Sequence, residues 1–184
     1  MAVARQLLLT KEDYRLLPDS GPRYQLIEGE LYLSPSPNRY HQIVSRNIEF
    51  LLLKYLEEHP VGELYHAPFD VYLSEHDVYQ PDIVFVKKEH FEVLTDAGIE
   101  GTPDLVVEIL SPSNAYLDKK AKLHSYARTG VNELWLVDPD TRLVQVYFPQ
   151  QSAQSPSATH GEKDSFVSPH LPGLEIALAA IFKR

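Results

Sequence analysis

Asp104-Leu105-Val106-Val107-Glu108-Ile109-Leu110 is an apolar, largely β-branched run set between Pro103 and the punctuation Ser111-Pro112-Ser113. Such a run reads as a strand buried on both faces. Side chains alternate along a strand, so Val106, Glu108 and Leu110 share one face and Leu105, Val107 and Ile109 the other. Glu108 is therefore a carboxylate among apolar neighbours. An unpaired buried carboxylate is very costly, and it persists when protonated, paired with a cation or bound to a metal.

Pro81-Asp82-Ile83-Val84-Phe85-Val86 poses the same question. Proline is tolerated as the first residue of a strand, which puts Asp82 at a strand mouth. Two neighbouring strands with one acid each could present both to a hard divalent cation such as Mg²⁺, which takes one or two carboxylates together with waters and substrate phosphate. A third element is Lys122, on the segment 114–129 that follows the Glu108 strand. Ser113 or Asn114 can cap a helix here and Gly130 can end it, with Leu117, Ala121, Leu123 or His124, and Ala127 recurring at helical spacing. A cation on this helix can lean back over the strand end. The competing reading is surface decoration: Asp118 and Lys122 are four residues apart, and an exposed pair of that kind contributes only about 0.3 kcal/mol.

Length and composition bound the rest. With 184 residues, 43% of them hydrophobic, the chain reads as a single domain over 1–184 with one sizeable core. Residues 1–9 are expected to be loose. Cysteine is absent, which excludes disulfides, cysteine nucleophiles and thiolate zinc sites. No apolar run approaches the ~20 residues that span a bilayer, and the start lacks a signal-peptide pattern, so the expectation is a cytoplasmic protein with no membrane partner. The balance of 17 basic and 26 acidic residues gives −9, which argues against a protein that coats nucleic acid by charge alone. A local basic patch would still serve, and Lys119, Lys120, Lys122 and Arg128 are the candidates. No glycine-rich phosphate loop, GxSxG elbow or HExxH occurs.

Outward from the central stretch, Thr10-Lys11-Glu12-Asp13 predicts a capped start for a short helix through Leu17, stopped by Pro18-Asp19-Ser20-Gly21-Pro22. Tyr24–Ile27 and Leu31–Leu33 around Glu28-Gly29-Glu30 predict an N-terminal hairpin. Glu28 reads as a turn residue, whereas Glu30 is either a further metal or water ligand or a surface acid. A long helix is predicted from about Arg39 to Glu58, with Ile43, Val44, Ile48, Leu51, Leu52, Tyr55 and Leu56 as its apolar stripe. His41 in its first turn could contact substrate phosphate or a carboxylate, or simply cap the helix. Residues 63–73 read as one long strand or two short ones before a loop over 74–80, with Asp70 a turn or edge residue. A short helix is predicted over 87–95, a loop over 98–103, a core strand over 133–137, a turn at Asp138-Pro139-Asp140 and a strand over 143–147. The polar tract 150–161 reads as a mobile loop, and 166–182 as a short strand with a final apolar turn.

Taken together these residues resemble a known family. Tyr24 to Leu31, Ser36-Pro37 with His41, Gln80-Pro81-Asp82, the run from Pro103 to Ser113, Lys122 with Tyr126, and Gly130-Val131 through Trp135-Leu136-Val137-Asp138-Pro139 look like the Uma family of bacterial restriction-endonuclease-like proteins. The resemblance spans about Thr10 to Phe182. It places the chain in the PD-(D/E)xK nuclease superfamily and implies an α/β (α+β) fold: a restriction-endonuclease-like mixed central sheet flanked by helices. The family's acids fall on Asp82 and Glu108. The superfamily lysine normally stands two residues after the second acid, where this chain has Leu110, and the resemblance implies that Lys122 replaces it from the helix. It also implies Glu30 as the acid that some members add from an early element, and a role for His41. Gln25 stands where relatives usually carry an acid and is not counted as a ligand.

The resulting expectation is metal-assisted phosphodiester hydrolysis. Asp82, Glu108 and the backbone carbonyl of Ile109 would hold Mg²⁺ or Mn²⁺, while Lys122 orients water and offsets phosphorane charge. By resemblance the substrate is DNA, cut to leave a 5′-phosphate, by a homodimer that addresses both strands. Two rival readings stand beside it: a catalytically silent binding or regulatory module on the same fold, and a structural domain in which Glu108 pairs internally with Lys122.

Overall fold

A computed structural model describes residues 7–18, 20–34, 36–111 and 117–184, with 117–121 described by their backbone alone. In chain order the elements are α1 (Lys11–Arg15), β1 (Tyr24–Ile27), β2 (Glu30–Leu33), α2 (Arg39–Glu58), β3 (Gly62–His66), β4 (Val71–Ser74), β5 (Asp77–Tyr79) and β6 (Ile83–Lys87). A 3₁₀ turn (Lys88–Val93) leads to β7 (Leu94–Thr95), β8 (Gly98–Glu100), β9 (Leu105–Ile109), α3 (Leu117–Thr129), β10 (Glu133–Asp138) and β11 (Leu143–Tyr147). The chain ends with β12 (Ala158–Gly161), β13 (Ser165–Val167), β14 (Glu175–Ala177) and α4 (Leu178–Ile181).

The mixed central sheet runs β12-β11-β10-β9-β6-β3. Its middle is the parallel pair β9 and β10, joined by the α3 crossover, with antiparallel neighbours β6 and β11 on either side. β9 is buried at every position, as a strand covered on both faces must be. On one face Ile83, Phe85, Val107, Trp135 and Val137 pack with Val44, Ile48 and Leu52 of α2 and with the C-terminal residues Leu178 and Ile181. On the other, Val84, Val106, Leu134 and Leu136 meet Leu123 and Tyr126 of α3 and Val71, Tyr79 and Ile99 of a second sheet, ordered β2-β1-β5-β4-β8-β7. Each such side chain contributes about 1.5–3 kcal/mol when fully buried. Burial on this scale, and not any single loop hydrogen bond, sets the pairing of the layers.

Several expectations hold in detail. Thr10 and Asp13 form a capping box on α1, and α2 spans Arg39–Glu58 as expected; its cap, not assigned from the sequence, is Asn38, accepting from the His41 amide at 2.9 Å. The β1–β2 connection is the two-residue turn Glu28-Gly29, both with positive φ, the geometry that matches the right-handed twist of a hairpin. Asp138 accepts from the amides of Asp140 and Thr141, as a turn former.

Of the two alternatives for 63–73 the structure has the two short strands, set in different sheets, β3 beside β6 and β4 beside β5 and β8. Other expectations are corrected. Residues 74–80 are not a plain loop, because β5 forms there and pairs with both β1 and β4. β7 and β8 occupy parts of the tracts read as helix and loop, and β12 occupies the end of 150–161 by pairing with β11. Ser113 and Asn114, the proposed caps of α3, lie outside the described residues.

Asp77 ties the second sheet together. Its carboxylate is fully buried and takes bonds from the Glu28 amide, the Ser74 and Tyr79 hydroxyls and the Arg128 guanidinium on α3. Burial pushes its pKa up, but these donors outweigh it and hold the carboxyl below the usual range. A depressed folded pKa contributes stability above the unfolded value and loses it as pH falls through the folded value. Asp77→Asn is therefore expected to lower stability at neutral pH and to flatten the stability profile below about pH 4, read by urea unfolding across pH.

Candidate active site

The site is built where β6 and β9 lie side by side. Ile83, the first residue of β6, pairs with Val107. Asp82 immediately precedes that pair and Glu108 immediately follows it on β9, so the core that fixes the pairing leaves both backbones little freedom.

Asp82 is held at both oxygens. The Ile109 amide donates to Oδ2 at 2.7 Å, and His41 Nε2 lies 2.8 Å from Oδ1. A carboxylate only accepts, so Nε2 carries the proton, and Nδ1 is left to face the Ser111 hydroxyl at 3.4 Å. His41 reaches this position because the Asn38 cap starts α2 directly beneath it, and its side chain is only 7% exposed. The imidazole thus contacts a carboxylate, one of the two roles its position in the sequence suggested.

Glu108 is held by a different layer. Lys122 Nζ donates to both of its oxygens, at 3.1 and 3.2 Å, and the Tyr126 hydroxyl donates to Oε1 at 2.5 Å. Lys122 and Tyr126 are four apart on α3, hence on one helix face, which points down at the sheet. Glu108 and Lys122 are 12% and 9% exposed at their side chains, so Lys122 is no surface decoration. Beneath it Lys122 Nζ sits 5.9 Å from the centre of the Tyr79 ring. Burial pushes the Tyr79 hydroxyl far above its ordinary pKa, so it stays neutral and donates to Asp77. Tyr126 stood in the sequence beside Lys122 as part of a family pattern, and its bond to Glu108 gives it a physical task there.

A cleft of about 1350 Å³ opens over these groups, with Asp82, Glu108, Lys122 and His41 all in its wall. The same wall carries four arginines, Arg23, Arg39, Arg46 and Arg184, all exposed. Nothing in the linear sequence gathers them: they come from the approach to β1, from α2 and from the last residue. Two members of the basic patch expected on α3 are engaged within the fold. Arg128 binds Asp77, Lys122 binds Glu108, and the side chains of Lys119 and Lys120 lie outside the described residues. Glu30 is not brought to the site. It is exposed on the edge strand β2, bonded by the Tyr32 hydroxyl at 3.2 Å, and does not line the cleft.

The donor set suits a hard cation. Two carboxylates and the Ile109 carbonyl are oxygen ligands of the kind Mg²⁺ takes alongside water and substrate. Among the described residues no group of three or more His, Cys, Asp or Glu side chains is disposed to hold a metal, so a dedicated all-protein cage is absent from that part of the chain. A two-carboxylate site needs no such cage. Each Asp82 oxygen takes one named protein bond and keeps lone-pair capacity, since an ionised carboxylate offers about four acceptor sites.

A mixed sheet flanked by helices thus carries two acids at adjacent strands and a helix-borne lysine in one cleft. The sequence profile of the Uma2 family, described as "Putative restriction endonuclease", matches residues 11–179, and the chain belongs to that family. A crystal structure from Anabaena variabilis, described as "a putative nuclease belonging to DUF820", shares 20% identity, covers 95% of this chain and 97% of its own, and superposes with a TM-score of 0.78. At that identity the likeness establishes the fold. No curated protein matches the chain. Among the described residues no helix is long and apolar enough to cross a membrane.

Removing one partner of a buried ion pair strands the other's charge, whereas removing both does not. Lys122→Met is expected to lower unfolding free energy by about 2 kcal/mol, the cleft admitting water that moderates the cost. Glu108→Gln with Lys122→Met should recover more than half of that loss in urea titrations. Additive losses would show that the two groups are not coupled.

Proposed function

We propose that the chain is a cytoplasmic metal-dependent endonuclease that hydrolyses phosphodiester bonds in DNA. The observation that carries this reading is the convergence of Asp82, Glu108 and Lys122 in one cleft whose rim is arginine-rich. Membership of a family described as restriction endonucleases supports nuclease chemistry on the same site.

Arg23 and Arg39 on the cleft wall would take backbone phosphates either side of the scissile bond, the sequence-independent part of nucleic-acid binding. Asp82, Glu108 and the Ile109 carbonyl would hold Mg²⁺, or Mn²⁺ in its place. When bound there the cation would acidify water and stabilise charge on the phosphoryl oxygens. Lys122 would orient the attacking water and offset charge on the phosphorane. His41 acts one step back: by holding Oδ1 of Asp82 it fixes the plane of the carboxylate. Tyr126 does the same for Glu108. The product end is a 5′-phosphate, and a homodimer would cut both strands. Glu30 has no part in this scheme.

One observation favours the silent-module reading. The superfamily's lysine position is Leu110, and Lys122, the substitute, is bonded to both Glu108 oxygens. Plasmid nicking separates the two. Wild type with Mg²⁺ or Mn²⁺ should nick, EDTA should abolish nicking, and Asp82→Asn, Glu108→Gln and Lys122→Met should each lower the rate at least about 100-fold. Wild type that binds the cation but never cuts would assign the silent module. In a separate measurement, Arg23→Ala and Arg39→Ala should each weaken DNA binding across sequences and reduce the slope of log K against log salt by about 1.

A further inference from the structure

Among the described residues, nothing covers the outer face of helix α2. Its inner stripe, Val44, Ile48, Leu52, Tyr55 and Leu56, is buried in the core. Its outer face carries Arg46, Phe50, Leu53 and Glu57, spaced four, three and four apart, so they form one stripe along the helix. Phe50 is 70% exposed and Leu53 46%, while Arg46 and Glu57 are exposed to either side. One flank is closed by the C-terminus, where Asn47 donates to the carbonyls of Ile181 and Lys183. The other is closed by β3, where His66 approaches Glu49 at 3.6 Å. What remains open is a strip one helix wide.

The order of residues in that strip is self-complementary. Two copies of α2 laid antiparallel about a two-fold axis, centred between Leu51 and Leu52, bring Phe50 of each against Leu53 of the other. The same register brings Arg46 of each against Glu57 of the other. A parallel arrangement would instead oppose Arg46 to Arg46 and Glu57 to Glu57, which charge repulsion disfavours. Antiparallel helices also align their macrodipoles favourably. The strip is therefore complementary to itself in one orientation only, the requirement of an isologous two-fold contact.

We infer that the outer face of α2 is the interface through which a second copy of this chain docks, antiparallel, with Phe50 and Leu53 as its apolar centre and Arg46–Glu57 pairs at both ends. Four side chains over three turns fall well short of the roughly 800 Å² per partner of a standard stable interface, so the dimer forms reversibly and depends on concentration. Arg46 and Glu49 also line the cleft, so this pairing sets the two clefts beside the two-fold axis. The inference rests on the helix surface and holds whether or not the cleft cuts DNA.

Sedimentation velocity of the whole chain over a concentration series tests it without any activity readout. Wild type should pass from monomer to dimer, and Phe50→Glu should remain monomeric with an unchanged circular dichroism melt. Arg46→Glu alone and Glu57→Arg alone each place like charges in both end pairs, and each should weaken self-association more than about tenfold. Mixing these two variants restores both opposite-charge pairs in the heterodimer, and the double swap Arg46→Glu with Glu57→Arg restores them in the homodimer. Association should return in both cases. A wild type that stays monomeric to high micromolar concentration would overturn the inference, as would a dimer indifferent to Phe50→Glu or a failure of the mixture to reassociate.

Discussion

A carboxylate in the middle of a buried strand must be compensated, and the compensation of Glu108 organises the structure around it. Neither β9 nor its sheet neighbours supply a cation on that face, where Val106, Leu134 and Leu136 are the adjoining side chains. The charge is met from above, by Lys122 and Tyr126 of the α3 crossover. Tyr126 is at once a member of the core cluster and a donor to Glu108, so the packing that places the helix also places the site. Fold and candidate chemistry share one set of contacts, which is why Glu108 could not shift without disturbing the layer above.

That arrangement also reconciles a net charge of −9 with a cleft whose wall carries four arginines. Many acids are engaged elsewhere: Asp77 with Arg128, Glu100 with Arg15, Glu162 with Arg142, and Asp104 with the Lys87 amide and His90. The cleft wall instead gathers arginines from distant parts of the chain. Net charge describes the field far from the protein, whereas binding is governed by the field within about a Debye length of the cleft, about 8 Å at physiological salt.

The parts of the fold that could be read from the residues are those whose stability is encoded locally. β6, β9 and β10 are apolar runs bounded by proline, serine or glycine, and α2 carries both its cap and its stripe. β5, β7 and β8 carry no such signal: Asp77-Val78-Tyr79, Leu94-Thr95 and Gly98-Ile99-Glu100 are two or three residues long and become strands only because neighbours offer unpaired backbone. β12 is the same case within a serine- and glutamine-rich tract, made a strand by β11. At the site, Asp82, Glu108 and Lys122 were visible as polar residues in positions that a core would not choose. His41 was visible as a position without an assigned partner. The arginines were not visible, because proximity across 160 residues is a property of the fold alone, and Glu30 misled because an acid near a turn looks the same whether its strand faces a cleft or solvent.

The two acids are held by unlike means, and the difference bears on how the site would fill. Asp82 is fixed by a backbone amide of a central strand and by a buried imidazole, groups with little room to move. Glu108 is fixed partly by an ammonium at the end of four rotatable bonds, which can swing aside without moving the backbone. A divalent ion arriving there would replace one positive charge by two in the same low-dielectric pocket, so the exchange need not strand Glu108 at any stage. Asp82 would then be the preorganised half of the pair and Glu108 the exchangeable half. A stronger Glu108–Lys122 pair would raise the cation concentration needed to fill such a site, because the same carboxylate cannot serve both partners fully.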